Sequence, residues 1–478
     1  MPPKTTRARK AKTKTKASRI KKPLWPAKYI PRVIVKFHTD VALPDKDTVF
    51  KKYLHKGKMG PWPRLRERFP GITIQRLITK LSPQDCRDLV DKAKRVDPAF
   101  HPPKLENYFA VYCPSRKEAQ AIARTLDSWN AVEVAYIEGG PTRPPAVNRA
   151  ANFPYGPRQT YLGPAPGGID AEYAWTKQGG DGKGVNLKFA DVERGWHLGH
   201  EDLPNDIELI HGENQEFPHG TAVLGIVAGM DDTKGCVGII PYLRTKMVSS
   251  IIPDSQSPYP DRYNAILAAI NRLDTGDVLL LELQVNAQGY YPTRLPGGKA
   301  GLGWYENLPA EVENPLFDLI QTAAARGIIV VEAAGNGNLD LDAFDPYAAP
   351  HWGKDSGAIM VAAVDAPAVR RAYSRFPDSN YGSRINCFAW GRQICAPYEL
   401  SGLEMYVSDF GNTSGASAII AGAALAVQSF AKVNLNRTLS PDEMRRILSD
   451  PTNGTVSTDP NANGIGVMPD LRKIIDNL

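Results

Sequence analysis

The stretch PLFDLIQTAAARGIIVVEAAGNG, residues 315–337, decides the fold. Its first half has the apolar spacing of a helix, and its second half, from Gly327, is a short buried-strand run closed by a Gly turn. The same alternation recurs on either side. GVNLKFADV (184–192), VLLLELQV (278–285) and GAIMVAAVD (357–365) read as buried strands, whereas GTAVLGIVAGM (220–230) and YNAILAAINRL (263–273) read as helices. Strands that alternate with helices predict an α/β fold, a mainly parallel sheet sandwiched by helices. Ligands of such sheets bind beyond the carboxyl ends of the strands.

The pattern differs before residue 158. RVIVKFH (32–38) and GITIQRLI (71–78) are strand candidates separated by a loop rich in Lys, Pro and Gly. Ser82 caps a helix with Pro83 at its first position, and NYFAVYC (107–113) is a further strand. SRKEAQAIARTLDSWN (115–130) is an amphipathic helix, and VEVAYIE (132–138) a closing strand. This order predicts a small α+β, ferredoxin-like domain with helices on one face of a mainly antiparallel sheet. The expected boundaries are a basic tail and linker at 1–31, this domain at 32–138, a Gly/Pro-rich linker at 139–157, and the α/β domain at 158–478.

The formal charge of +7 belongs to the tail: residues 1–22 hold ten Lys or Arg and no acid, leaving −3 for everything after them. That density suits an acidic partner or nucleic acid, or a solvated arm. The tail has no apolar core of a secretory signal, so an intracellular setting is expected. No stretch reads as the ~20 apolar residues that span a bilayer. The five cysteines have no metal or disulfide-framework spacing, although a bridge between Cys387 and Cys395 stays open.

Four polar residues fall at element ends. Asp191 ends a strand, His219 begins a helix, Asn336 ends a strand and Ser414 begins the helix SGASAIIAGAAL. Acyl transfer needs these types. A hydroxyl needs a base to take its proton, imidazole can be that base, and a carboxylate fixes its tautomer. The side-chain amide of Asn336 and the backbone N–H of Ser414 would hold the oxyanion.

The chain resembles the subtilisin-like serine proteases over about residues 158–474. HGTAVLGIVAG (from His219), AAGNGN (333–338), GNTSGASAIIAG (411–422) and FADVERGWHLGHEDL (189–203) are similar to the family's His, Asn, Ser and Asp segments. The order Asp, His, Ser is that of subtilisin. The resemblance implies a serine endopeptidase with Ser414 as nucleophile, His219 as general base then acid, Asp191 as orienting carboxylate and Asn336 as oxyanion donor. It implies substrate contacts along Leu281, Glu282, Leu283 and Gln284 and along Ala333, Ala334 and Gly335. It requires no cofactor. Calcium as a structural ion has weak candidates in Asp340 and Asp342, with Asp345 beside them, but a full calcium-loop pattern is missing.

The departures set further expectations. Asn412 stands where the family commonly has Gly, and Ala418 where it has Pro; Asn tolerates positive φ, so the turn should survive. Glu282 replaces a Ser, which suggests either a preference for Lys or Arg before the scissile bond or a solvated or internally paired Glu. Residues 32–138 sit where subtilases carry a propeptide, which would template folding, inhibit the protease intramolecularly and be removed by self-cleavage between about 139 and 152. Two rivals remain: a catalytically impaired protein on the same fold, and a nucleic-acid or acidic-partner binder working through residues 1–22.

Overall fold

The computed structural model describes residues 30–140, 159–215, 218–232, 234–253, 259–286, 307–343, 354–366, 373–400, 403–457 and 464–478. The basic tail, most of the 139–157 linker and Asp345 lie outside them.

The N-terminal part contains β1 (Val33–Phe37), α1 (Asp47–His55), α2 (Trp62–Arg68), β2 (Thr73–Arg76), α3 (Pro83–Val96), β3 (Tyr108–Tyr112), α4 (Arg116–Asp127) and β4 (Val132–Ile137). The strands form an antiparallel sheet in the order β2–β3–β1–β4. A capping box starts α3: the Ser82 hydroxyl accepts from the Asp85 N–H, and Asp85 Oδ2 accepts from the Ser82 N–H, both at 3.1 Å. The region expected as a loop after β1 holds α1 and α2. Phe50 with Leu54, and Trp62 with Leu65, bury one face of each, under a surface of Lys and Arg that hides the pattern.

Strand alternation gives this sheet two apolar faces. Val33, Val35 and Phe37 pack with Phe109 and Val111 against α1, α2 and α4. Ile34, Tyr108 and Ala110 face the other way and join, with α3, the core of the following domain. The helices therefore do not all lie on one face, and the second face is covered by α3 and the α/β half of the chain.

That half contains α5 (Ala171–Trp175), β5 (Lys188–Glu193), β6 (Glu208–His211), α6 (Pro218–Ala228), β7 (Thr245–Ser250), α7 (Arg262–Arg272), β8 (Val278–Leu281), β9 (Gln284–Asn286), β10 (Asn307–Pro309) and α8 (Asn314–Ala325). It continues with β11 (Ile329–Ala333), β12 (Ile359–Val364), β13 (Cys387–Trp390), β14 (Ile394–Leu400), β15 (Leu403–Phe410), α9 (Asn412–Asn434), α10 (Pro441–Ser449), β16 (Gly454–Val456), β17 (Val467–Pro469) and α11 (Leu471–Asn477). The main sheet has the order β16–β17–β13–β12–β11–β8–β5–β7–β6, parallel except for β16 against β17. Strand order reverses at β5, so the crevice above β5 and β8 is the switch point at which such sheets bind ligands.

Helix α9 runs unbroken through Ala418. It corrects the expectation about membrane spans: it is long and apolar enough to cross a bilayer, but 83% of its apolar window is buried inside the protein. It is the core helix under the sheet. All five cysteines are free and buried, and Cys395 faces Cys236, at 3.4 Å between sulfurs, rather than Cys387.

Candidate active site

Strand β5 carries Asp191 and Glu193 on one face, two residues apart. Asp191 lies deep and fully buried, and its Oδ2 accepts from the Trp196 indole N–H at 2.8 Å. It does not meet the histidine. Glu193, at the carboxyl end of the strand, bonds His219 Nδ1. The carboxylate expected at Asp191 is therefore supplied by Glu193. The strand runs two residues past Asp191, so the residue at its tip is the second acid.

His219 lies in the first turn of α6, its ring edge-on to Phe410 with centroids 5.3 Å apart. Gly220 follows because a Cβ there would meet the Gly195 carbonyl at 2.4 Å. The opposite ring nitrogen, Nε2, is buried and without a hydrogen-bond partner among the described residues. Burial pulls the imidazole pKa down, but the adjoining Glu193 carboxylate and a smaller contribution from Glu282 outweigh it, and the net shift is upward.

Ser414 sits in the first turn of α9 and lines the same cleft as His219 and Glu193. The turn before it depends on Asn412, which adopts φ +55° and gives its N–H to the Gly391 carbonyl at 2.7 Å. Asn is among the few side chains that occupy this left-handed region at small cost, so the Gly-to-Asn departure keeps the turn. Asn336 is fixed through its side-chain oxygen, which accepts from the Thr413 N–H at 3.1 Å and hydroxyl at 2.9 Å. Its Nδ2 donates to Gln284 Oε1 at 3.4 Å, and both residues line the cleft.

Of the expected substrate contacts, Glu282, Leu283, Gln284 and Ala333 line the cleft. Leu281 is fully buried in β8, and Asn380 binds the Ala334 carbonyl through its side chain and the Gly335 carbonyl through its backbone N–H. Glu282 does not stand at a rim waiting for a basic side chain. It is 7% exposed, and its Oε1 accepts from the Ser417 hydroxyl at 2.5 Å, one turn along α9 from Ser414. Burial pushes its carboxyl up to about 7, against the opposing pull of the nearby His219. Asp340 and Asp342 are taken up by their own loop. Asp340 accepts from the Asp342 N–H, and Asp342 from the N–H and hydroxyl of Ser383. Those contacts fit a polar loop.

Three further cleft residues carry no motif. Arg262, at the start of α7, gives its guanidinium to the Gly139 carbonyl at 3.0 Å, and Ile251 and Ile252 form an apolar wall. Gly140 also lines the cleft, brought there directly from β4.

A model described as "Subtilase family" matches residues 205–466 of this chain. The chain belongs to the subtilase family. Subtilisin DY of Bacillus licheniformis is 27% identical over 273 residues, which are 56% of this subtilase and 84% of that protein. The major intracellular serine protease of Bacillus subtilis is 25% identical over 289 residues, 58% of this chain and 78% of that one. Among solved structures, the epidermin leader peptide processing serine protease of Staphylococcus aureus shares the fold with a TM-score of 0.56 at 13% identity, covering 93% of this chain and 98% of that chain. This subtilase is thus a serine endopeptidase, a hydrolase whose family needs no catalytic cofactor.

Proposed function

We propose that Ser414, His219 and Glu193 form the catalytic triad, with Asn336 as oxyanion donor, in an endopeptidase made as a self-processing precursor. Ser414 attacks the scissile carbonyl as its proton passes to His219 Nε2. Glu193 holds Nδ1–H and stabilises the imidazolium, and the carbonyl electrons move to an oxygen beside Asn336 Nδ2 and the Ser414 N–H. His219 returns the proton to the leaving amine as the C–N bond breaks. Water then repeats the sequence on the acyl-enzyme. The departures at Asn412 and Ala418 give no reason to prefer a catalytically impaired protein.

The observation that carries the precursor reading is the path of the chain after β4. Gly139 passes the end of β9, where a Cβ on it would lie 3.2 Å from the Asn286 backbone, and Gly140 lines the cleft of Ser414 and His219. The chain leaving the N-terminal domain thus reaches, at Gly140, the cleft where substrate belongs. The fold shared with the S. aureus protease covers enough of the chain to include this domain.

Intact mass of purified wild type and Ser414→Ala, with and without a fluorophosphonate probe, tests both parts. The expected result is loss of an N-terminal fragment ending between about 139 and 152, together with one probe equivalent, in wild type only. Equal, full-length masses after long incubation would remove self-processing, and an unlabelled wild type would remove Ser414 as nucleophile.

A further inference from the structure

Glu282 follows β8 directly, and its N–H donates to the Val192 carbonyl at 3.0 Å. Because β5 and β8 are parallel with Val192 opposite Leu281, this places Glu282 laterally beside Glu193. Two strand tips thus deliver two buried carboxylates to one histidine: Glu193, His219 and Glu282 each offer a ligand-type atom within 4.8 Å of the others. Glu282 and Ser414 line the same cleft, and Ser414 helps to offset the upward push of burial on the Glu282 carboxyl. One of its oxygens is anchored by Ser417, while the other, Oε2, is buried and has no hydrogen-bond partner among the described residues, as is His219 Nε2. An acceptor and a ring nitrogen, both buried and without a partner among the described residues, stand beside a nucleophile, where a proton can be shared between them.

We propose that Glu282 is a fourth catalytic residue, whose free oxygen Oε2 shares with His219 the proton that leaves Ser414 during acyl transfer. This rests on the triad assigned above. The balance is simple. The proton leaves Ser414 Oγ as the Oγ–C bond forms, resides on the His219–Glu282 pair while the tetrahedral intermediate exists, and goes to the leaving nitrogen as C–N breaks. The imidazolium then has two carboxylates beside it, Glu193 at Nδ1 and Glu282.

The charged and titratable groups around the pair are Glu193, Asp191 and Arg194 from β5 and the residue after it, with the serines of α9 and the Phe410 ring completing the surround. Arg194 opposes protonation of His219, and the ionised Glu282 favours it. Removing the Glu282 charge therefore lets His219 stay neutral, and so act as a base, to lower pH.

The test is the second-order rate of fluorophosphonate labelling at Ser414 across pH 5–9 for wild type, Glu282→Gln and Glu282→Asp. The expected result is slower labelling of Glu282→Gln with its acid limb displaced to lower pH, and a limb near the wild-type position for Glu282→Asp, which keeps the charge. A Glu282→Gln limb that coincides with wild type would reduce Glu282 to an anchor for α9 and overturn the proposal. A nitrogen NMR titration of His219 in Ser414→Ala, with and without Glu282→Gln, reads the same coupling without turnover: His219 must titrate at lower pH in the double variant, and an unchanged titration overturns the idea. Wild type that never labels would count against Ser414 as nucleophile, and the NMR comparison still decides the role of Glu282.

Discussion

Two acids on one face of β5 stand about 7 Å apart along the strand, and only the outer one reaches the imidazole. Glu193→Gln keeps the shape but loses the charge that fixes the tautomer, so kcat should fall by about 10⁴. Asp191→Asn should leave kcat within a few-fold. Steady-state assay of the two variants against one peptide substrate separates them, and the opposite ranking would return the role to Asp191. Stability gives a second reading. Burial, reinforced by the charges of Glu193 and Glu282, holds the Asp191 carboxyl well above the usual carboxylate range. The folded state therefore keeps its proton where the unfolded chain has lost it, and stability drains away as pH rises above about 4 towards the folded value. Asn does not titrate. The Tm of Asp191→Asn relative to wild type should accordingly rise between pH 5 and pH 8; a constant difference in calorimetry would mean that Asp191 is not held as the neutral acid. Motif spacing led to His219, Asn336 and Ser414, which the fold brings to one cleft. It led to Asp191 instead of Glu193, because both lie on the same face and only the true length of the strand tells which acid lies at its tip.

At the scale of elements, β4, β1, α7 and α8 meet around a buried ion network. Arg32 pairs with Glu138, whose Oε1 also lies 3.5 Å from the Arg262 guanidinium and 3.2 Å from the Tyr263 hydroxyl. Glu313 completes the group, 3.3 Å from Arg262 and 2.9 Å from Tyr263. Breaking a buried pair by deleting one member leaves charge uncompensated, at a cost of about 3–5 kcal/mol. Glu138→Ala, made in the Ser414→Ala chain so that cleavage does not intervene, should sharply reduce amide-exchange protection in β1 and β4, with the centre of the peptidase sheet unaffected. Equal protection would show that apolar packing alone holds the domains. None of this network is readable from sequence. Arg32, Glu138 and Arg262 sit in three separate segments, and their charges look like ordinary surface until the fold buries them. The helices α3 and α4 are readable because Ser82 and Ser115 cap them and their apolar residues keep a strict period. By contrast α1 and α2 are short and crowded with Lys, Arg and Pro.

For the whole molecule, the shared core sets how the halves depend on each other. Ile34, Tyr108 and Ala110 of the N-terminal sheet and Leu89, Val90 and Ala93 of α3 belong to the same apolar cluster as the peptidase sheet and helices. Polar contacts ring that seam: the Tyr108 hydroxyl donates to Asp318 at 2.6 Å, and the Thr79 and Lys80 N–H groups donate to Asn264 at 3.0 and 3.1 Å. Folding the peptidase half alone would leave α7 and α8 with an uncovered apolar face and Asp318 and Asn264 without these partners. Its parallel sheet, built from pairings distant in sequence, also folds slowly and exposes that face for longer. A chain beginning at residue 141 should therefore refold from denaturant in low yield and aggregate. Adding residues 1–140 as a separate polypeptide should restore soluble, probe-reactive protein, because the template supplies the missing face without a covalent link. Refolding yield, measured by fluorophosphonate labelling of the soluble fraction at equal concentrations of the two pieces, reads this directly. High yield from the shorter chain alone would show that the seam is a docking surface on an already stable protease rather than part of its core.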